Sequence, residues 1–110
     1  MVIEGAGGIL VPLNDKDTIL NLIESLNSEV ILVSRHYLGS INHTLMSIEA
    51  LQQRNIPIKG ILFNGKENKD TESIITKMSG VNIIGRINKL DDLNKSVINS
   101  IAQNLKNKLI

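Results

Sequence analysis

The 110-residue chain contains no cysteine, which excludes a disulfide scaffold and a thiolate metal site and leaves its redox compartment open. Tryptophan is absent too, and Tyr37 and Phe63 are the only aromatic residues, so a core has to be built from Ile, Leu and Val. No apolar run approaches the ~20 residues that cross a bilayer. The start MVIEGAGG has neither the basic region nor the apolar stretch of a secretory signal. Charge of one sign is also lacking: the formal net charge is +1, with Lys and Arg scattered, whereas a nucleic-acid groove or a surface for anionic lipid wants clustered basic residues. What remains is 42% hydrophobic and 21% charged residues, the composition of one small globular domain. The expectation is a soluble, cytoplasmic domain with no nucleic-acid and no membrane partner.

Apolar runs alternate with amphipathic segments. Val30 to Ser34 (VILVS), Ile58 to Asn64 (IKGILFN) and Val81 to Ile87 (VNIIGRI) are continuous, β-branched runs of the kind found in strands covered on both faces. Thr18 to Leu26 places Ile19, Leu22, Ile23 and Leu26 on one helical face, with Asp17 or Asn14 as N-cap. Ser40 to Asn55 repeats Ile41, Leu45, Ile48 and Leu51, with Ser40 as cap, and Asp70 to Ser79 is a short helix closed by Gly80. Leu93, Val97, Ile101, Leu105 and Leu109 mark a long terminal helix. Strands alternating with helices predict an α/β fold, a parallel sheet with helices on both faces. A fourth strand is expected at Met1 to Ile3. Three residues ahead of Glu4 fall short of the usual run of about five or six, so the domain reads as truncated at its N-terminus.

Ligands of open parallel sheets bind beyond the carboxyl ends of the strands. The first such end is Glu4-Gly5-Ala6-Gly7-Gly8. A carboxylate directly after a strand is placed to meet a magnesium ion, and the glycines let backbone amides approach anionic oxygens. A tight turn with a solvated Glu4 explains the same residues. The second end enters a helix through Leu38 to Thr44 (LGSINHT). There the first amides behind Gly39 and Ser40 would receive a carboxylate or phosphate, with Asn42 as an added donor, or Ser40 simply caps. His43 reads as structural, and Arg35, His36 and Tyr37 as exposed loop residues. At the third end Asn64 could pair with a base edge, or form an Asn-Gly turn with Gly65. The stretch Lys66, Glu67, Lys69 and Asp70 is mixed in charge and solvated. Neither G-x-S-x-G nor G-x-x-x-x-G-K-[ST] occurs, so no serine elbow and no P-loop lies in this chain.

In their order, IEGAGGILVPLN, VILVSRHYLGSINHTLMSIEAL, GILFN and IIGRI resemble the C-terminal half of dethiobiotin synthetase, over nearly the whole chain from Val2 to about Leu90. The resemblance implies a P-loop NTPase-like fold, with residues 1–110 as the C-terminal portion of a single domain. It implies ATP and Mg2+ as cofactors and the ring closure of 7,8-diaminononanoate with CO2 to dethiobiotin, in biotin synthesis. Glu4 would be the magnesium ligand, Gly5, Ala6 and Gly7 the backbone along the ATP phosphates, and Asn64 with Gly65 the adenine contact. Asn88, Lys89 and Leu90 would lie in the loop beside the base, where the family usually has proline at the position of Asn88. Leu38, Gly39, Ser40 and Asn42 match the helix start that takes the carboxylate tail of the diamino acid in the neighbouring subunit, which implies a homodimer with sites across its interface. The family's P-loop lysine and threonine, second catalytic lysine and magnesium-binding aspartate have no counterpart here, so no catalytic residue is assigned and the isolated chain is expected to be inactive. Two other readings are a non-catalytic remnant that dimerises or binds nucleotide weakly, and another P-loop superfamily ATPase of the amidotransferase or partitioning type.

Overall fold

The computed structural model describes residues 1–110. Its elements run α1 (Ile19–Ser25), β1 (Val30–Arg35), α2 (Ser40–Gln53), β2 (Ile58–Asn64), α3 (Lys69–Ser79), β3 (Ile83–Ile87) and α4 (Lys95–Leu109). The strands form one parallel sheet in the order β1-β2-β3. Each parallel step needs a crossover, and α2 and α3 supply the two crossovers. Their placement gives the core: Ile48 of α2 and Ile75 of α3 close over Ile61 and Phe63 of β2, with Val81 beside them. A second cluster joins Leu20 of α1 to Leu51 and Ile56. On the other face Leu105 of α4 lies against Gly85 of β3, where a built Cβ would strike its side chain. That helix covers little of β1, so Ile31 and Val33 stay 41% and 60% exposed while Ser34 on the α2 side is buried.

Met1 to Ile3 do not form the expected fourth strand. They lie outside the sheet, exposed, and donate no backbone hydrogen bond. A strand exists only through its neighbours, and here the free edge of β1 receives none. Two caps also differ. Thr18 caps α1, its amide and hydroxyl both donating to the Asn21 side-chain oxygen at 2.8 and 2.7 Å, while Asn14 and Asp17 close their own turn. Gly39 is the N-cap of α2 at φ 93°, a left-handed conformation that glycine adopts without strain, so Ser40 is the first helical residue and is buried. Gly80 closes α3 at φ 71°, as its sequence position predicts.

Candidate functional site

Strand register brings three chain segments level. Arg35 stands opposite Asn64, and Asn64 opposite Ile87, so the loops that follow leave the sheet at one edge. The Gly65 amide donates to the Ile87 carbonyl at 2.8 Å, joining the loop after β2 to the start of Asn88-Lys89-Leu90, which is exposed throughout. Gly65 holds φ 102°. Asn64 is exposed, and its side chain is engaged by no neighbour that would compete with a ligand.

A carboxylate lies beneath this edge. Glu72, in the first turns of α3, is buried. Its Oε1 accepts from His36 Nε2 at 2.7 Å, from the Asn68 amide at 3.3 Å and from Arg86 Nη2. Arg86 Nη1 donates to the Gly65 carbonyl at 3.0 Å. Phe63 floors the cluster: the His36 ring stacks on it with centroids 5.1 Å apart, and the Arg86 guanidinium carbon sits 5.8 Å from its centroid. Burial pushes the Glu72 carboxyl up, but the hydrogen bonds from Arg86, His36 and the Asn68 amide, with the Arg86 charge, outweigh it and hold the group below the usual carboxylate range. Because Glu72 is ionised, His36 donates through Nε2; its Nδ1 is buried without a partner.

The start of α2 forms an open groove of about 440 Å³ lined by Tyr37 to Asn42 and by Thr71. The Ile41 and Asn42 amides donate to no backbone carbonyl, as expected of a first helical turn. Tyr37 Oη and His43 Nδ1 are 2.8 Å apart at its rim. Leu38 is fully exposed.

The Gly5–Val11 segment lies against α1 instead. The Ile9 and Val11 carbonyls accept from Leu20 and Ile19 at 2.7 and 3.0 Å. Gly7 and Gly8 take φ 82° and 109°, and no amide from Gly5 to Gly8 donates to a backbone carbonyl. Glu4 is exposed and enters no ion pair with the Asn64 edge or the α2 groove. No three His, Asp or Glu side chains converge as a metal-binding group. Glu4 is thus a single exposed carboxylate, which by itself offers a divalent ion one oxygen-donor group.

The structure thus gathers Asn64, Gly65, Asn88, Lys89 and Leu90 at one edge and Leu38, Gly39, Ser40 and Asn42 at the neighbouring helix start, and leaves Glu4, Gly5, Ala6 and Gly7 as a separate segment. It corrects the reading of His36 as an exposed loop residue: its side chain is 15% exposed and held by Glu72. His43, read as structural, is exposed, with its Nδ1 2.8 Å from the Tyr37 hydroxyl. Glu72 and Arg86 were not singled out by sequence reasoning. The available signal was a glutamate three residues before Ile75, on the buried face of its helix.

A protein-family model described as an AAA domain matches residues 1–97, and the chain belongs to that family, a P-loop NTPase-like α/β class. Curated relatives narrow the likeness. An ATP-dependent dethiobiotin synthetase from Cytophaga hutchinsonii is 48% identical over 96% of this chain and 51% of its own length. The enzyme of the same name from Christiangramia forsetii is 50% identical over 99% of this chain and 52% of its own, and that of Brucella ovis 47% identical over 94% and 50%. The chain spans about half the length of the curated relatives it matches.

Proposed function

We propose that this chain supplies the base-side and substrate-tail contacts of an ATP-dependent dethiobiotin synthetase. The observation that carries the reading is the free Asn64 side chain at the level end of β2, flanked by Gly65 and the Asn88–Leu90 loop, in a chain about half identical to enzymes of that name. An amide carries one donor and one acceptor on the same carbon, which matches the N7 acceptor and N6 donor of adenine, where guanine offers two acceptors, N7 and O6. The two free amides and the dipole of α2 suit a carboxylate, with Asn42 beside them. The exposure of Leu38 and Ile41 at that helix start supports a second copy of the chain closing the groove.

The reaction proposed is addition of CO2 to one amine of 7,8-diaminononanoate, phosphorylation of the carbamate by ATP, and attack by the second amine with release of phosphate. In it Asn64 and Gly65 orient the base, the Gly5–Gly7 amides face the phosphates, and the α2 start holds the tail so that the amines are presented to the nucleotide. Glu4 would hold a magnesium ion, which when bound offsets the charge on the transferring phosphoryl group. These 110 residues contain no P-loop lysine, so the cradle for the terminal phosphates has to come from residues outside them, and this stretch by itself is inactive. The setting is cytoplasmic biosynthesis; no helix is long and apolar enough to cross a membrane.

The test measures dethiobiotin formed from 7,8-diaminononanoate, bicarbonate and ATP by the protein as its source makes it, with a P-loop-bearing half from a relative added where that protein lacks one. Product that requires both halves and a preference for ATP over GTP that falls in Asn64→Ala are the expected results. Absence of product in every combination overturns the reaction; an unchanged preference in Asn64→Ala overturns the base contact.

A further inference from the structure

Asn64 is free to turn, and a ligand contact from a free amide needs a fixed backbone beneath it. The loop that follows it is fastened at both ends by one cluster. Arg86 reaches the Gly65 carbonyl with Nη1 and Glu72 with Nη2, and the same Glu72 oxygen takes the Asn68 amide that closes the loop onto α3. A third donor, His36 Nε2, ties in the segment just ahead of the α2 groove. We propose that Glu72, Arg86 and His36 are positioning residues, a clamp that sets the Asn64–Gly65 loop in its ligand-contacting pose and fixes its distance from the start of α2. The proposal rests on the reading of Asn64 as the base contact and extends it to residues that touch no ligand.

The chemistry of the cluster favours this role over simple core filling. Apolar residues of similar volume would fill the space above Phe63 at less desolvation cost than a buried carboxylate with two cationic or polar neighbours. What only this arrangement provides is a forked donor bridging a carboxylate and a loop carbonyl. Arginine has two such prongs and lysine one, so Arg86→Lys keeps the charge opposite Glu72 and gives up the Gly65 carbonyl. That variant tests positioning in a protein that still folds, whereas Glu72→Ala would strand a buried guanidinium and is expected to fold poorly.

The experiment compares Arg86→Lys and Asn64→Ala with the parent in the complete enzyme, reading KM and kcat for ATP and GTP, with amide hydrogen exchange at Gly65 and Asn68. The expected result for Arg86→Lys is a KM for ATP raised about tenfold, the loss of one charge-assisted hydrogen bond. Its kcat stays near the parent value, the ATP-to-GTP preference falls, and Gly65 exchanges about tenfold faster, with the global unfolding equilibrium shifted by no more than that same factor. A folded Arg86→Lys with parental KM and parental Gly65 exchange overturns the clamp, provided Asn64→Ala alters the nucleotide preference. If Asn64→Ala leaves that preference unchanged, the base contact itself is overturned and the ligand role of the clamp goes with it.

Discussion

Replacing Gly60 with alanine isolates the element that sets the level of Asn64. A Cβ built on Gly60 lies 2.5 Å from Ile84 Cγ1 and 2.8 Å from the Asn82 carbonyl oxygen, closer than real Cβ contacts come. The oxygen is not free to retreat, because it accepts the Ile61 amide at 2.9 Å in the β2–β3 ladder. Overpacking against fixed backbone costs about 3 kcal/mol, and the stiffer unfolded chain of an alanine variant returns about 0.5–1 kcal/mol. The net is about 2 kcal/mol, or a urea midpoint lowered by about 1.5 M at a slope of about 1.3 kcal/mol/M. Gly85→Ala is the control. Its Cβ meets the end of the Leu105 side chain, which turns aside, so the overpacking of about 1 kcal/mol is nearly offset by the same return. Urea unfolding followed by far-ultraviolet circular dichroism measures both. A Gly85→Ala as damaging as Gly60→Ala, or a Gly60→Ala with the parental midpoint, would refute the argument that backbone and not side chain limits the space beside β2.

Three further outcomes follow from the same contacts. Glu72 has a folded-state pKa below its ordinary value near 4.5, so its contribution to stability is complete above that value and is lost as pH falls through the lower, folded one; unfolding curves should hold steady from neutral pH to about 5 and weaken below, and Glu72→Gln should remove that acid-side slope. Ser34 and Thr44 share a buried hydroxyl–hydroxyl bond of 2.9 Å between β1 and α2; Ser34→Ala should cost about 1 kcal/mol and the Ser34→Ala/Thr44→Val pair less than the sum of the single changes, as a thermal double-mutant cycle will read. Asn68 caps α3 by accepting the Thr71 amide at 3.1 Å, so Asn68→Ala should lower stability by about 1 kcal/mol in chemical denaturation, and a loss under a few tenths would mean the Glu72 contact alone holds that helix start.

The apolar runs VILVS, IKGILFN and VNIIGRI were legible as strands from their length and β-branched content, although Ile31 and Val33 leave one face of β1 exposed and the third strand begins at Ile83, two residues after Val81. Met1 to Ile3 carried the same apolar character and formed none, since pairing and not hydropathy makes a strand. The terminal helix kept the stripe its spacing predicted: Val97, Ile101 and Leu109 are half-buried and Leu105 buried, while every other residue of α4 is exposed, and only Leu93, ahead of the cap Asn94 and 70% exposed, falls outside it. Motif order singled out the glycines, Asn64 and the α2 start as candidates. It could not expose the clamp, whose members stand at positions 36, 72 and 86 on separate elements.

Strand parity explains how those distant residues meet once the register is known. Phe63 faces Ile48 and Ile75, on the side of α2 and α3. Its ladder partners Ser34 and Arg86 share that side, because residues directly opposite in a sheet point the same way. His36 stands two residues beyond Ser34 and so returns to the same side, while Glu72 arrives from α3 above it. Leu62 and Gly85, one residue away in each strand, face α4 instead. A slip of one residue between β2 and β3 would therefore turn Arg86 toward α4, strand the Glu72 carboxylate and release the Gly65 carbonyl together. The β2–β3 register, with Gly60 crowded against the Asn82 carbonyl that accepts the Ile61 amide, is thus as necessary to the contacts of Arg86 with Glu72 and the Gly65 carbonyl as those residues themselves.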